Sequence, residues 1–191
     1  MKRILTVVGM IMLAVGTASL LSDAGFRADV HPPDGDMLVG TWAWQTSLPV
    51  APGVEMPLPA LVTYHIDHTI TVADATMLGG LPASANPYRY TPGQGVWEST
   101  GKKEFGGTSL YLRFDPSTGI LLGILRSRAN IELGENFDQI KGTMHLDFLS
   151  CSSPLTCADP VSAPPEEWQP YGPVSDFSFT ATRLHVVPMP E

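Results

Sequence analysis

The sequence predicts an all-β protein, an eight-stranded antiparallel up-and-down barrel, and three observations lead to that fold class. Residues 139–148 alternate between an apolar and a polar face, which is typical of a strand with one buried side. No helix-period segment of useful length follows the N-terminal apolar run. The predicted connections also sort by length, with short turns at one end and long segments at the other, as in a cup with a mouth. A two-sheet sandwich is the alternative, because either arrangement covers the apolar face.

The N-terminus has the pattern of a targeting segment. Lys2 and Arg3 precede an apolar run that ends near Leu21, and small residues follow. An uncleaved membrane anchor is the alternative, since the run is nearly long enough to span a bilayer. The predicted organisation is a signal peptide over 1–24, a flexible lead-in over 25–36, one barrel domain over 37–185 and a loose tail over 186–191.

Cysteine usage agrees with export to the periplasm or the medium. The chain has two cysteines, Cys151 and Cys157, which are expected to close a small disulfide loop in an oxidising compartment. A metal site is the weaker alternative, because no histidine lies next to them. The net charge of −8 and the absence of a basic patch argue against nucleic acid as a partner.

The strands can be placed in order along the chain. The first carries Leu38, Gly40, Trp42 and Trp44 on one face, and the Pro-rich segment 48–59 after it has too many prolines for a paired strand. The predicted strands are 37–47, 60–66, 68–77, 95–99, 103–115, 119–133, 137–149 and 176–184. The long connections, expected to overhang the mouth, are 48–59, 78–94 and 150–175.

The same topology predicts a contact between the first and last strands. Trp42 begins the first strand and Arg183 ends the eighth, both at the end with the tight turns. If the barrel closes, the guanidinium can lie over the indole, a cation–π contact of ~1 kcal/mol. We therefore expect Trp42 and Arg183 to be the pair that closes the barrel.

These residues resemble the lipocalin-like (calycin) barrels and the small exported bacterial proteins with lipocalin-like domains. The resemblance rests on Gly40-Thr41-Trp42 opening the first strand, on Thr182-Arg183 in the last strand and on residues 95–99, GVWES. The chain departs from the typical lipocalin in lacking a helix after the last strand. The resemblance implies that a small, mostly apolar molecule binds inside the barrel.

Several large side chains are candidates to line such an interior, or alternatively to fill it, since an eight-stranded barrel has room for side chains or one small ligand. Arg126 and Arg128 lie on a strand that is apolar on both faces at its start. They are therefore either buried cations that need a carboxylate, such as Glu98 or Asp74, or exterior residues on a solvated face. The predicted ligand-binding residues are Trp44, Tyr64, Trp97, Met144, Leu146 and Phe148.

Three functions follow, and the interior distinguishes them. A non-enzymatic binding protein for a hydrophobic or amphipathic molecule predicts an apolar pocket above ~300 Å³. A barrel enzyme of isomerase or cyclase type predicts a carboxylate or histidine of shifted pKa in that pocket, with Glu98, His65 or Tyr64 as candidates. A structural or interaction module predicts a filled barrel. No cofactor or metal is predicted, and His65, Asp67 and His68 are interpreted as a polar hairpin tip rather than ligands.

Overall fold

The computed structural model describes residues 36–51, 54–77, 88–151, 157–171 and 175–185. The predicted signal peptide (1–24), nearly all of the lead-in and the tail (186–191) lie outside the described residues. Short 3₁₀ helices are formed by Asp36–Leu38 and Pro165–Glu167. The strands are β1 (Gly40–Ala51), β2 (Val54–Tyr64), β3 (Thr69–Asp74), β4 (Arg89–Tyr90), β5 (Gly93–Ser99), β6 (Glu104–Phe114), β7 (Leu121–Leu133), β8 (Gln139–Ser150), β9 (Gln169–Pro170) and β10 (Asp176–Arg183).

Eight of these strands close into an antiparallel barrel, so the predicted fold class is confirmed. The order is β1-β2-β3-β5-β6-β7-β8-β10, and β10 pairs with both β8 and β1. The two-residue strand β4 pairs with the end of β6, and β9 pairs with the end of β8. Both short strands therefore lie at the mouth, the end opposite the tight turns.

The inner face follows from the alternation of buried residues. On β8 the even-numbered residues predicted to be the dry face point inward, and Met144 and Leu146 reach an internal cavity. On β7 the inward residues are odd-numbered, including Leu125 and Ala129. Arg126 and Arg128 therefore lie outside the barrel. This settles which face of β7 is internal, which the apolar start of that strand left open.

The prediction that residues 48–59 form an unpaired loop is wrong. β1 and β2 remain paired almost to the connection between them, with Pro59 opposite Gln45, Pro57 opposite Ser47 and Pro49 opposite Glu55. The prolines are tolerated because of their register. The carbonyl of Pro59 accepts a hydrogen bond from Ala75 of the β3 side, so its nitrogen also faces away from β1.

The backbone nitrogen of Pro57, two residues away, points to the same side as that of Pro59. The carbonyl of Thr41 accepts a hydrogen bond from the Leu184 N–H, on the side of β1 away from β2. The backbone polar groups of the odd-numbered β1 residues, Pro49 included, therefore also point away from β2. All three prolines therefore occupy positions at which the β1–β2 ladder needs no backbone N–H donor. Counting prolines was misleading because their spacing, not their number, decides whether a strand can pair.

The third long segment meets the expectation of a flap over the mouth only at its end, where β9 and Tyr171 lie at the rim. Residues 157–168 instead pack on the outer wall of β7 and β8. Trp168 is buried there against Ile124 and Leu149, in a small cluster separate from the barrel core. The disulfide between Cys151 and Cys157 closes the start of this segment.

The closed end is sealed by the chain's first described turn and by Arg183. β1 and β10 pair with Trp42 opposite Arg183, and the guanidinium carbon lies 4.3 Å from the centre of the fully buried indole ring. Arg183 also donates to the backbone carbonyls of Phe137 (3.1 Å), Val39 (2.6 Å) and Met37. The indole N–H in turn donates to the Leu38 carbonyl at 2.9 Å. One guanidinium thereby joins the lead turn, β1 and the β7–β8 connection.

Gly40 belongs to the same arrangement. Its φ of +138° lies in the region that favours glycine, and a Cβ built there would come within 2.9 Å of Nη1 of Arg183. The Gly-x-Trp pattern therefore has a physical basis. The glycine leaves room for the cation that lies on the tryptophan.

The barrel cavity as the candidate functional site

The barrel encloses a cavity of about 100 Å³ in its upper half, between the aromatic floor and the mouth. Ligand pockets of soluble proteins usually measure ~300–1,000 Å³, so the cavity is smaller than the binding-protein prediction requires. It is nevertheless more than a packing defect, since a single water needs only ~10–15 Å³ of such space. Its apolar wall includes Trp44, Val62, Ile70, Leu125 and Leu146.

The floor below this cavity is a set of rings at steep angles to one another. Trp97 contacts Tyr64 at 6.1 Å between centroids and an 88° interplanar angle, and Phe105 at 5.8 Å and 66°. The indole N–H of Trp97 donates to the His65 carbonyl at 3.0 Å, and the His68 ring lies 4.7 Å from the indole. Edge-to-face packing of this kind fills the tight-turn end of the barrel.

Polar groups interrupt the apolar wall of the cavity. Ser109 and Ser127 stand opposite each other on β6 and β7, both line the cavity, and both are buried. Tyr64 and Tyr111 also line the cavity from β2 and β6. A side chain that only had to fill the barrel would gain more from being apolar, because burying a hydroxyl costs free energy unless it has a partner.

Asp74, at the end of β3, adds a carboxyl group to the same wall. Burial raises the pKa of Asp74, although one carboxylate oxygen accepts from the Thr76 backbone N–H at 2.8 Å and from its hydroxyl at 2.5 Å. Burial also raises the pKa of Tyr111, and the neighbouring Asp74 charge raises it further. The cavity thus contains an acid and a phenol that each favour their neutral form more than they would in water.

The mouth is narrowed by a pair of tyrosines. The hydroxyls of Tyr90 and Tyr171 lie 2.7 Å apart, and both residues line the cavity. Burial raises the pKa of Tyr90. The two residues come from the two short mouth strands and their flanks, so their hydrogen bond links the β6 side of the rim to the β8 side.

An arginine lies beside this pair. The guanidinium carbon of Arg113 is 4.1 Å from the Tyr88 ring centre and 3.6 Å from that of Phe148. Gly123 on β7 makes this possible, because a Cβ there would come within 2.3 Å of the Phe148 ring and of the Leu149 carbonyl. The missing side chain on β7 leaves space for the Phe148 ring from β8.

The structure places four of the six predicted ligand-binding residues in the cavity wall: Trp44, Tyr64, Met144 and Leu146. Trp97 lies in the floor instead, and Phe148 lies at the rim against Arg113. Sequence reasoning missed Asp74, Tyr111 and Arg113. The sequence of β6 gives no periodic signal for the last two, because its even-numbered side, which carries Leu110 and Leu112, is as apolar as the odd-numbered side that faces inward.

The residues suggested for an enzyme are mostly elsewhere. Glu98 is exposed on β5, and His65 lies at the closed end, where its Nε2 is 3.2 Å from the Thr71 hydroxyl. Asp67 accepts from the backbone N–H and the hydroxyl of Thr69 and so shapes the hairpin turn. Of the enzyme candidates, only Tyr64 reaches the cavity.

Arg126 and Arg128, on the outer face of β7, pair with Asp147 and not with Glu98 or Asp74. Asp147, buried on the outer face of β8, accepts hydrogen bonds from Arg126 at 2.9 Å and from His145 at 2.8 Å, and it forms an ion pair with Arg128 at 2.8 Å. Arg126 also stacks on Trp168 at 3.8 Å. Burial would raise the pKa of Asp147, but the hydrogen bond from Arg126 and the charge of Arg128 outweigh it and hold that pKa below its ordinary value. This cluster holds the 157–171 segment to the barrel wall.

No protein-family model, curated protein or solved structure matches this chain. The interpretation of the cavity therefore rests on its own residues. Within the described ranges, no helix is long and apolar enough to cross a bilayer.

Proposed function

We propose that the protein is an exported binding protein that holds a small hydrophobic or amphipathic molecule in its barrel. The observation that carries the proposal is the set of buried polar groups in the wall of an otherwise apolar cavity. An apolar wall with a few polar groups that orient the ligand is the usual composition of a small-molecule site. The closed eight-stranded barrel is consistent with a lipocalin-like protein, and ligand binding is what that resemblance implies.

The cavity volume limits what can bind. A volume of about 100 Å³ is about a third of the ~300 Å³ at which the usual range of ligand pockets begins. A short alkyl group fits without rearrangement, whereas a larger ligand must part the Tyr90–Tyr171 pair. The proposal is therefore a ligand whose buried portion is small.

Export is supported by the N-terminal pattern and by the Cys151–Cys157 disulfide, since structural disulfides persist in oxidising compartments. Cell fractionation with and without residues 1–24 tests this part. Recovery of the full-length protein in the cytoplasm, with both thiols reduced, would contradict it.

Native mass spectrometry of the protein purified from its own cells tests the binding function directly, because it reveals a co-purifying small molecule. As a second measurement, the tryptophan fluorescence of the protein is titrated with the neutral alcohols butanol to octanol. Trp44 lines the cavity, so occupation is expected to change its emission.

A filling variant and a matched control make the titration specific. Ala129→Leu places extra atoms in the cavity wall and is expected to abolish the fluorescence response. Ala73→Leu makes the same change on an exposed position of β3 and is expected to leave it intact. Equal responses in the two variants, or no response and no co-purifying molecule, would favour a solid structural barrel.

One observation favours a second candidate, a barrel enzyme. Asp74 and Tyr111 are a carboxyl and a phenol of raised pKa in one cavity, the kind of pair that general acid–base chemistry uses. If the molecule found by mass spectrometry is converted by the native protein but not by Asp74→Asn, the enzyme reading replaces the binding reading.

A further inference from the structure

Among the residues that the structure describes, Arg113 differs from the other part-buried arginines in having no anionic or carbonyl acceptor. Arg126 is satisfied by Asp147, and Arg183 donates to three carbonyls. Nε of Arg113 is buried and has no hydrogen-bond partner, and none of the ion pairs among the described residues includes this arginine. Its polar contact is the neutral hydroxyl of Tyr90.

The two rings around Arg113 decide how it can be approached. Arginine stacks on aromatic rings through the flat of its guanidinium, and the Tyr88 and Phe148 ring centres lie 4.1 Å and 3.6 Å from the guanidinium carbon of Arg113. A guanidinium stacked in this way presents its edge, which carries the N–H groups, to a ligand. An acceptor in that plane with two oxygens matches the geometry, and carboxylate is the group that arginine binds in this bidentate way.

The position of Arg113 links this edge to the cavity. Tyr111 lines the cavity, and Arg113 lies two residues further along β6 on the same face, one step nearer the mouth. Tyr90 stands opposite Arg113 in the β4–β6 pairing and reaches the cavity itself. A molecule with its apolar part in the cavity therefore has its other end at the guanidinium.

The net charge of the protein bears on how Arg113 could attract an anion. A protein of net charge −8 repels anions at long range. The cation at the mouth therefore acts on an anion only at short range. A part-buried guanidinium without an anionic acceptor is costly, and an anionic ligand lowers that cost.

We propose that Arg113 is the anchor for the anionic end of the ligand, and that the ligand class is a small monocarboxylate with a short apolar tail. The carboxylate accepts two N–H bonds from the guanidinium edge, and the tail occupies the cavity. This inference rests on the proposed binding function and adds the chemical class of the ligand.

The test compares hexanoate with hexanamide, which has nearly the same shape but no charge. Binding of each is measured by tryptophan fluorescence or calorimetry to the native protein, to Arg113→Gln and to Arg113→Lys. The native protein is expected to bind hexanoate about tenfold more tightly than hexanamide, since hydrogen bonds between charged groups exceed neutral ones. Arg113→Gln is expected to lose that preference and to keep its affinity for hexanamide.

Two further variants separate anchoring from a structural role. Arg113→Lys keeps a positive charge but not the planar fork, so it is expected to retain only part of the preference. Arg89→Gln removes an exposed arginine of β4 and is expected to change nothing. Retained hexanamide binding shows in every variant that the barrel is folded.

The outcomes are distinct for the two proposals. If hexanamide and the alcohols bind but charge makes no difference, or if Arg113→Gln keeps the full preference for hexanoate, the anchor proposal is overturned and the binding function stands. If no probe binds to the native protein, the binding function fails and the anchor falls with it.

Discussion

Replacing Arg183 by methionine tests the physical account of the closed end. The change keeps a long side chain over Trp42 but removes the cation and the donors to the carbonyls of Phe137, Val39 and Met37. Three hydrogen bonds at a net value of about 1 kcal/mol each, together with a cation–π contact of about 1 kcal/mol, give an expected loss of about 4 kcal/mol. That is a large part of the 5–15 kcal/mol by which a typical domain is stable.

Urea unfolding followed by tryptophan fluorescence, with the disulfide intact, measures this loss as a shift of the midpoint at constant slope. Arg183→Lys is expected to lose about half as much, because one ammonium group keeps the charge but cannot reach three carbonyls. Arg89→Met is the control, and at that exposed position the free energy of unfolding should change by no more than about 0.5 kcal/mol. A loss below about 1 kcal/mol for Arg183→Met, or equal losses for the methionine and lysine variants, would refute the idea that the guanidinium holds this end together.

Three more predictions concern single sites. Gly40→Ala is expected to lower the free energy of unfolding by about 1–3 kcal/mol, because it forces both an unfavourable φ and a contact with Arg183. The double variant with Arg183→Met should lose less free energy of unfolding than the two single variants together, and strict additivity would contradict this. Asp147→Asn is expected to cost about 2 kcal/mol in neutral solution, whereas the exposed Asp176→Asn should cost less than about 0.5 kcal/mol. Since the pKa of Asp147 lies below its ordinary 3.8 in the folded protein, its contribution to the free energy of unfolding is complete above that value and is lost as the pH falls through the folded pKa. In urea unfolding at a series of acid pH values, the free energy of unfolding should therefore fall less steeply for Asp147→Asn than for the native protein. Cys151→Ser with Cys157→Ser is expected to cost about 2 kcal/mol from the entropy of a loop with a sequence separation of 6, and an unchanged midpoint would show that the outer segment holds without the bond.

The barrel could be predicted from the sequence because alternation is a local signal. The faces of β8 are readable from the residues themselves, and tight turns fix the order of strands. The pairing of residues 48–59 could not be read from proline content, because whether Pro49, Pro57 or Pro59 interrupts a ladder depends on its register against a strand that must be placed first. The Arg113 site was hidden for a similar reason, since it joins side chains from β6 and β8 across the bare position of Gly123.

The features of the cavity also divide into those that could be predicted from the sequence and those that could not. Trp44, Tyr64, Met144 and Leu146 could be predicted because large apolar side chains on an inward face have few other places to go. The size of the cavity could not, since it depends on how far the aromatic floor and the mouth tyrosines intrude. Asp74 was considered only as a partner for distant arginines, because a carboxylate at a strand end gives no sign in the sequence of facing the interior.

The proline spacing of the long β1–β2 hairpin has a consequence for the behaviour of the protein at high concentration. Strand pairing with β10 ends at Thr46 and with β3 at Ala60, so no strand among the described residues pairs with either margin of the outer half of the hairpin. Pro49 interrupts the row of donors on one margin, and Pro57 interrupts it on the other. A second molecule that tried to add a strand there would find gaps in its hydrogen-bond template. We therefore expect the prolines that obscured the hairpin in the sequence to disfavour self-association along these margins.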